Sequence, residues 1–195
     1  RAGDTSIEWT RLDVRIEGAG GALLPPTDVS ALIASLELWR DDGDGSFDPG
    51  SDTLVAAPAT VTDGTGVLRF VLDTGDPLTT VEAASAASFF VVAQLAGSAS
   101  AHLPNRFRIT VIPDAARVRD AASGRILVGE KTPGVTSSTM TVLDDADGDG
   151  VPDDGDDSGI IGDRRCTGAT DSFCDDNCPM VVNDQLDSDA DGHSD

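Results

Sequence analysis

The sequence predicts an all-β chain: an antiparallel β-sandwich over residues 1–143, followed by an irregular, Asp-rich tail over 144–195. Three observations carry this. Apolar runs of strand length recur between Thr5 and Leu143, and residues that favour turns separate them. The acid is also unevenly placed, with 17 of the 30 Asp residues lying beyond Leu143. Asp disfavours helix interiors and folds back on its own backbone, so a tail of that composition reads as loop.

The first run, Ser6 to Gly18, sets Leu12, Val14 and Ile16 on one face and Arg11, Asp13, Arg15 and Glu17 on the other, the alternation of a half-buried strand. Further strands are expected at Leu32–Trp39, Thr53–Val61, Val67–Leu72, Phe89–Leu95, Phe107–Ile112, Arg125–Val128 and Thr139–Leu143. Between them stand "GAGG", "DDGDGSFDPGSD", "TDGTG", "DTGDP" and "KTPG", which supply the Gly, Pro and Asp that turns need. "VEAASAAS" reads as the approach to the Phe89 strand, and no amphipathic helix is visible. About eight short strands separated by turns favour a sandwich over other all-β designs. Trp9, Trp39, Phe70, Phe89, Phe90 and Phe107 are its candidate core anchors. An exposed Trp platform for polysaccharide is the competing reading, and the absence of Tyr counts against it.

The formal charge of −22 falls mainly on the tail: residues 144–195 hold 17 Asp against Arg164 and Arg165, whereas residues 1–143 hold 18 acids and 11 bases. So negative a surface repels nucleic acid and attracts cations. No run approaches the length of a membrane span. The chain begins without Met or a signal-like segment, which reads as processing or as a fragment of something longer. Catalysis has little to work with. His102 and His193 are the only imidazoles, and no metalloprotease, nucleophile-elbow or phosphate-loop pattern occurs, so the chain is not expected to be an enzyme.

The tail begins "DADGDGVPDDGDD", residues 145–157. Hard divalent cations need several oxygens from one short segment, and the calcium-loop pattern D-x-[DN]-x-[DN]-G supplies three carboxylates and a Gly for the bend. Asp145, Asp147, Asp149 and Gly150 match it. Val151 then offers its carbonyl at the seventh position, Asp153 stands at the ninth and Asp156 at the twelfth, and no helices flank the loop. The pattern recurs in register at Asp187, Asp189, Asp191, Gly192, His193 and Asp195. All three cysteines, Cys166, Cys174 and Cys178, lie in the tail. An odd cluster suggests disulfides with one partner missing, or a thiol or metal site; without a second Cys pair or a nearby His, extracellular disulfides are a better reading than zinc.

"DADGDGVPD" and, further on, "DDNCPMVVNDQLDSDADGHSD" resemble the thrombospondin type 3 repeat. Asp176, Asn177, Cys178, Pro179, Asn183, Gln185, Asp187, Asp189, Asp191 and Gly192 fall in place on its pattern. The resemblance covers only residues 145–195. It implies an irregular chain wrapped around several Ca²⁺ ions that stand in for an apolar core. It also implies ligand roles for Asp145, Asp147, Asp149, Asp153, Asp176, Asn177, Asn183, Asp187, Asp189, Asp191 and Asp195. Residues 154–175 interrupt the pattern, which leaves two candidates, Asp156 and Asp176, to complete the first site. The insertion carries Cys166 and Cys174, expected to close a small loop with each other. In the family pattern a further Cys would follow shortly after Asp195, and it is the expected partner of Cys178.

A second-class metal candidate lies in the sandwich, where "WRDDGDGSFDPGSD" sets Asp42, Asp44, Ser46, Asp48 and Asp52 on one loop; a plain hairpin loop is the equal alternative. Similar segments occur in immunoglobulin-like and fibronectin-like modules of bacterial surface proteins. The expectation is an extracellular, calcium-stabilised structural or adhesive protein of a cell surface. Its partners would be further copies, joined into a fibre through the Ser6–Gly18 strand, or neighbouring domains of a surface assembly. The alternatives are a spacer, or a carbohydrate-binding accessory module of a larger secreted protein.

Overall fold

A computed structural model describes residues 5–57, 60–62, 66–112, 116–127, 134–168 and 173–186. The chain divides into two compact units, Arg1–Met140 and Thr141–Asp195. The first unit is all-β and antiparallel. Its elements are β1 (Ile7–Gly18), α1 (Pro26–Leu32), β2 (Ile33–Arg40), β3 (Thr53–Ala56), β4 (Thr60–Thr62), β5 (Val67–Val71), β6 (Thr80–Val81), β7 (Phe89–Leu95), β8 (Arg106–Val111), β9 (Arg117–Asp120), β10 (Ile126–Leu127) and β11 (Val135–Thr136); β12 (Met140–Thr141) falls at the division.

The long first strand organises the larger sheet. One edge of β1 pairs with β6 through Ile7 and Glu8 and then with β5 from Arg11 to Arg15; the other edge pairs with β9 and then with β8 from Val14 to Gly18. The sheet order is β10-β9-β1-β5-β4, and a smaller sheet runs β3-β2-β7. Leu12, Val14, Ile16, Leu68, Phe70, Phe107 and Ile109 of the larger sheet are buried, as are Leu36 and Leu38 of the smaller one. Trp9 and Phe89 stack across the two sheets, with ring centroids 4.6 Å apart.

Several expectations need correction. Thr53–Val61 is not one strand: β3 joins the smaller sheet and β4 the larger, so the chain changes sheets between them. The helix α1 was not anticipated. It follows from "PPTDVSAL": Pro26 starts it with a preset φ, Asp28 favours the positive first turn, and Val29 and Leu32, three apart, bury one face. The short β6, β9 and β11 are too brief for a periodic signal. The aromatic anchors split as well. Phe70 and Phe107 are buried, whereas Trp9, Trp39, Phe89 and Phe90 are half-buried. Trp39 and Phe90 both meet the ring of Phe47 edge-on, and Phe47 comes from the loop between β2 and β3.

The polar face of β1 is not a solvated surface. Glu8, Asp13 and Glu17 are all nearly inaccessible. Each carboxylate is covered by arginines on β1 or on a neighbouring strand: Asp13 accepts from Arg11 and Arg69, Glu17 from Arg108, and Glu8 from Arg119. The aliphatic stems of the arginines cover the acids while their heads pair with them.

Candidate metal centre

The second unit is built inside out. Its buried residues include Asp153, Asp175, Asp176, Asn177 and Gln185, alongside Val142 and the two disulfide cysteines. Among its described residues most large apolar side chains, Ile160, Ile161, Phe173, Met180, Val181 and Val182 included, are exposed. An apolar core therefore cannot be what orders it.

In the loop at its start, each Asp side chain folds onto a later amide. Asp145 accepts from Gly148 and Gly150, Asp147 from Asp149, and Asp149 from Val151. Gly148 and Gly150 take positive φ of 78° and 94°, as the tight bend requires. The loop is closed by Asp153, whose carboxylate accepts from Ala146 and whose amide donates to the Asp144 carbonyl. The outcome brings oxygens of Asp145, Asp147 and Asp149 within 4.8 Å of one another.

Asp176 lies beside this group across the insertion, outside the trio itself, and shares the Gln185 side chain with Asp149. It is 1 % exposed, and its Oδ1 accepts from the Cys178 amide at 2.7 Å and from Gln185 Nε2 at 2.8 Å. Among the described residues, neither its Oδ2 nor that of Asp147, both buried, has a hydrogen-bond partner. Burial, followed by the carboxylates of Asp149, Asp176 and Asp145, pushes the Asp147 carboxyl above its ordinary value, although the Asp149 amide opposes the shift. In Asp149 burial acts in the same upward direction, but the Val151 amide, the Gln185 side chain and the Asn183 amide outweigh it and hold the carboxyl low. Of the two candidates to complete the site, Asp176 therefore stands with Asp147. Asp156 belongs elsewhere, in a cluster with Asp154 and Asp175.

The donor set fits a hard cation. Asp145, Asp147, Asp149 and Asp176 offer oxygen only, with no imidazole or thiolate, the donor type that hard cations take. Two buried carboxylate oxygens without donors are the groups that a cation would satisfy.

The other expected ligands within the described residues make hydrogen bonds around this cluster. Asn177 and Asn183 spend their side chains on a polar lattice: Asn177 Nδ2 donates to the carbonyls of Cys166 and Gln185, Asn183 Nδ2 donates to Asn177 Oδ1, and Asn183 Oδ1 accepts from the Gln185 amide. Val151 contributes its amide to Asp149, and Asp153 is a loop-closing acceptor. Asp187, Asp189, Asp191, His193 and Asp195 lie outside the described residues. Cys166 and Cys174 form the expected disulfide, and Cys178 is a free, half-buried thiol.

The described residues of the insertion close on one another through Asp175. Its backbone pairs with Arg164 and Cys166, and its fully buried carboxylate accepts from the amides of Gly162 and Arg164. A Cβ added at Gly155 would collide with the Cys174 carbonyl, so this internal packing needs glycine there. No local pattern in the sequence marks Asp154 and Asp175 as cluster members, because the loop that joins them has no periodicity.

In the first unit the candidate loop forms a third acidic cluster, of Asp41, Asp42 and Asp52. Asp52 is buried and accepts from the amides of Asp42 and Asp48. Asp44 and Asp48 serve the amides of Ser46 and Gly50. Asp41, not anticipated, accepts from Gly43 and Gly45. Asp44, Ser46 and Asp48 stand outside that cluster.

Among the described residues no helix is long and apolar enough to cross a membrane. Comparison with protein-family models, curated proteins and solved structures finds no match for this chain.

Proposed function

We propose that this chain is an extracellular, calcium-binding structural or adhesive protein, with a β-sandwich joined to a module of the thrombospondin type 3 kind. The observation that carries the reading is the buried, donor-less Oδ2 of both Asp147 and Asp176, in a unit that buries carboxylates and exposes its apolar side chains. Calcium here is architectural: it neutralises the repulsion that otherwise opens the unit. The disulfide supports an oxidising, extracellular setting.

Within this reading, a spacer or adhesion module of a surface protein is favoured over a fibre subunit that donates its first strand. Both edges of β1 are already paired within its own sheet, so Ser6–Gly18 is committed to its own fold.

The test is calcium-linked stability. Each ion bound only to the folded unit adds about 2.7 kcal/mol at a hundredfold excess over its Kd. Adding calcium to chelator-treated protein is expected to raise the melting temperature of residues 141–195 and to protect them from protease. An identical proteolysis pattern with and without chelator would sink the reading.

A further inference from the structure

Gln185 is an uncharged residue that touches both halves of the candidate cation site. Its side chain is 1 % exposed, and the two N–H groups of its carboxamide are divided between two acids: Nε2 donates to Asp149 Oδ2 at 2.9 Å and to Asp176 Oδ1 at 2.8 Å. Its Oε1 accepts from the Asn177 amide at 3.0 Å. The backbone is held as firmly. Gln185 has φ of +60°, unfavourable for any residue with a Cβ, and is kept there by Asn183 Oδ1 on its N–H and by Asn177 Nδ2 on its carbonyl. Glycine would suit that φ better but has no carboxamide.

We infer that Gln185 is the positioning residue that unites Asp176 with the Asp145–Asp149 loop, so that cation affinity depends on an amide that does not itself contact the cation. The inference rests on the calcium reading above. Residues 154–175 separate Asp176 from the loop in sequence; the Asp176 amide ties the two backbones by donating to the Pro152 carbonyl, but the carboxylates of the two acids repel, and the donor they share is what holds those side chains together. The donor must also be neutral: Arg or Lys at this point would quench the negative site, and a carboxylate would add to the repulsion. By occupying Asp176 Oδ1 the amide leaves Oδ2 as the oxygen free to bind, which makes Asp176 a one-oxygen ligand. Metal sites depend in the same way on groups that orient their ligands, and removing such a group lowers affinity by about 10- to 100-fold.

The experiment uses the full chain stripped of metal, as wild type, Gln185→Met, Asp176→Asn and the double variant. Calcium binding is followed by calorimetry, and the water count on bound terbium by luminescence lifetimes in H2O and D2O. Gln185→Met is expected to weaken the calcium step that Asp176→Asn weakens, by about tenfold or more, and to add about one water to the terbium ion. The double variant is expected to be no weaker than Asp176→Asn alone, because the amide acts through that carboxylate. An unchanged calcium step in Gln185→Met overturns the inference, as do losses that add in the double variant. So does a Gln185→Met tail that stays open to protease at saturating calcium while that of Asp176→Asn is protected. A wild-type chain with no calcium step overturns the calcium reading itself, and this inference with it.

Discussion

Asp147 and Asp176 stand on opposite sides of a disulfide-closed insertion, yet their carboxylates repel one another directly, and each keeps Oδ2 buried with no donor. Such an arrangement costs free energy without a cation and is stabilised with one. Asp147→Asn and Asp176→Asn should therefore have effects of opposite sign. Each is expected to raise the melting temperature of the calcium-free tail and to lower that of the calcium-loaded tail, with affinity reduced about tenfold or more, or ~1.4 kcal/mol. Calorimetric melting with chelator and with calcium checks both signs. A variant that is destabilised in both states would show that the acids serve the fold by hydrogen bonding alone.

The disulfide should reach the same site indirectly. Cys166 pairs through its backbone with Asp175, the neighbour of Asp176, and its carbonyl accepts from Asn177. Opening so short a loop frees the unfolded chain and is expected to cost about 2–3 kcal/mol. Reduction, or the double substitution Cys166→Ser and Cys174→Ser, should shift the calcium midpoint of the tail upward and leave melting of the sandwich unchanged. Calcium titrations followed by protease protection, with and without reductant, test this.

Asp13 in the first unit and Asp147 in the second should respond to acid in opposite directions when calcium is absent. Burial raises the Asp13 carboxyl, but hydrogen bonds and charge from Arg11 and Arg69 outweigh it, so the folded value lies below the ordinary 3.8. The unfolded state then binds the proton more readily, so this stabilisation is complete above pH 3.8 and is lost as pH falls through the folded value. Asp147 is shifted upward, chiefly by burial, so its contribution is greatest below 3.8 and is lost as pH rises through its folded value. On acidification from neutrality the Asp147 contribution should grow in the calcium-free tail, against that of Asp149, whose carboxyl is held low, and the Asp13 contribution should fade in the sandwich. Carboxyl NMR titration with melting curves checks each sign. Asp13→Asn should cost the sandwich about 1–3 kcal/mol at pH 7 and remove its share of the acid dependence.

The loop after β2 depends on Asp52, which ties its two ends by accepting from Asp42 and Asp48. Asp52→Ala leaves both amides without their partner and should cost about 1–3 kcal/mol in urea unfolding. Asp44→Ala removes an exposed acceptor and should change stability by less than about 0.5 kcal/mol. Equal losses would mean that the loop is not organised around Asp52.

Much of this was legible in the chain because it is local. The alternation of Leu12, Val14 and Ile16 marks a strand, and Asp145, Asp147, Asp149 and Gly150 mark an oxygen-lined bend, since both patterns follow from backbone geometry over a few residues. What the tertiary structure alone decided concerns residues distant in sequence. Asp13 and Glu17 read as a solvated face, but arginines from β5 and β8 cover them. Ser6–Gly18 reads as a strand that joins a neighbouring copy, but four other strands occupy both of its sides. Asp156 and Asp176 were equal candidates until the folded insertion carried Asp156 to Asp175 and left Asp176 beside Asp147. Spacing along the chain states which carboxylates can converge, whereas which ones do converge depends on the hydrogen bonds that Gln185 and Asp176 make across the insertion.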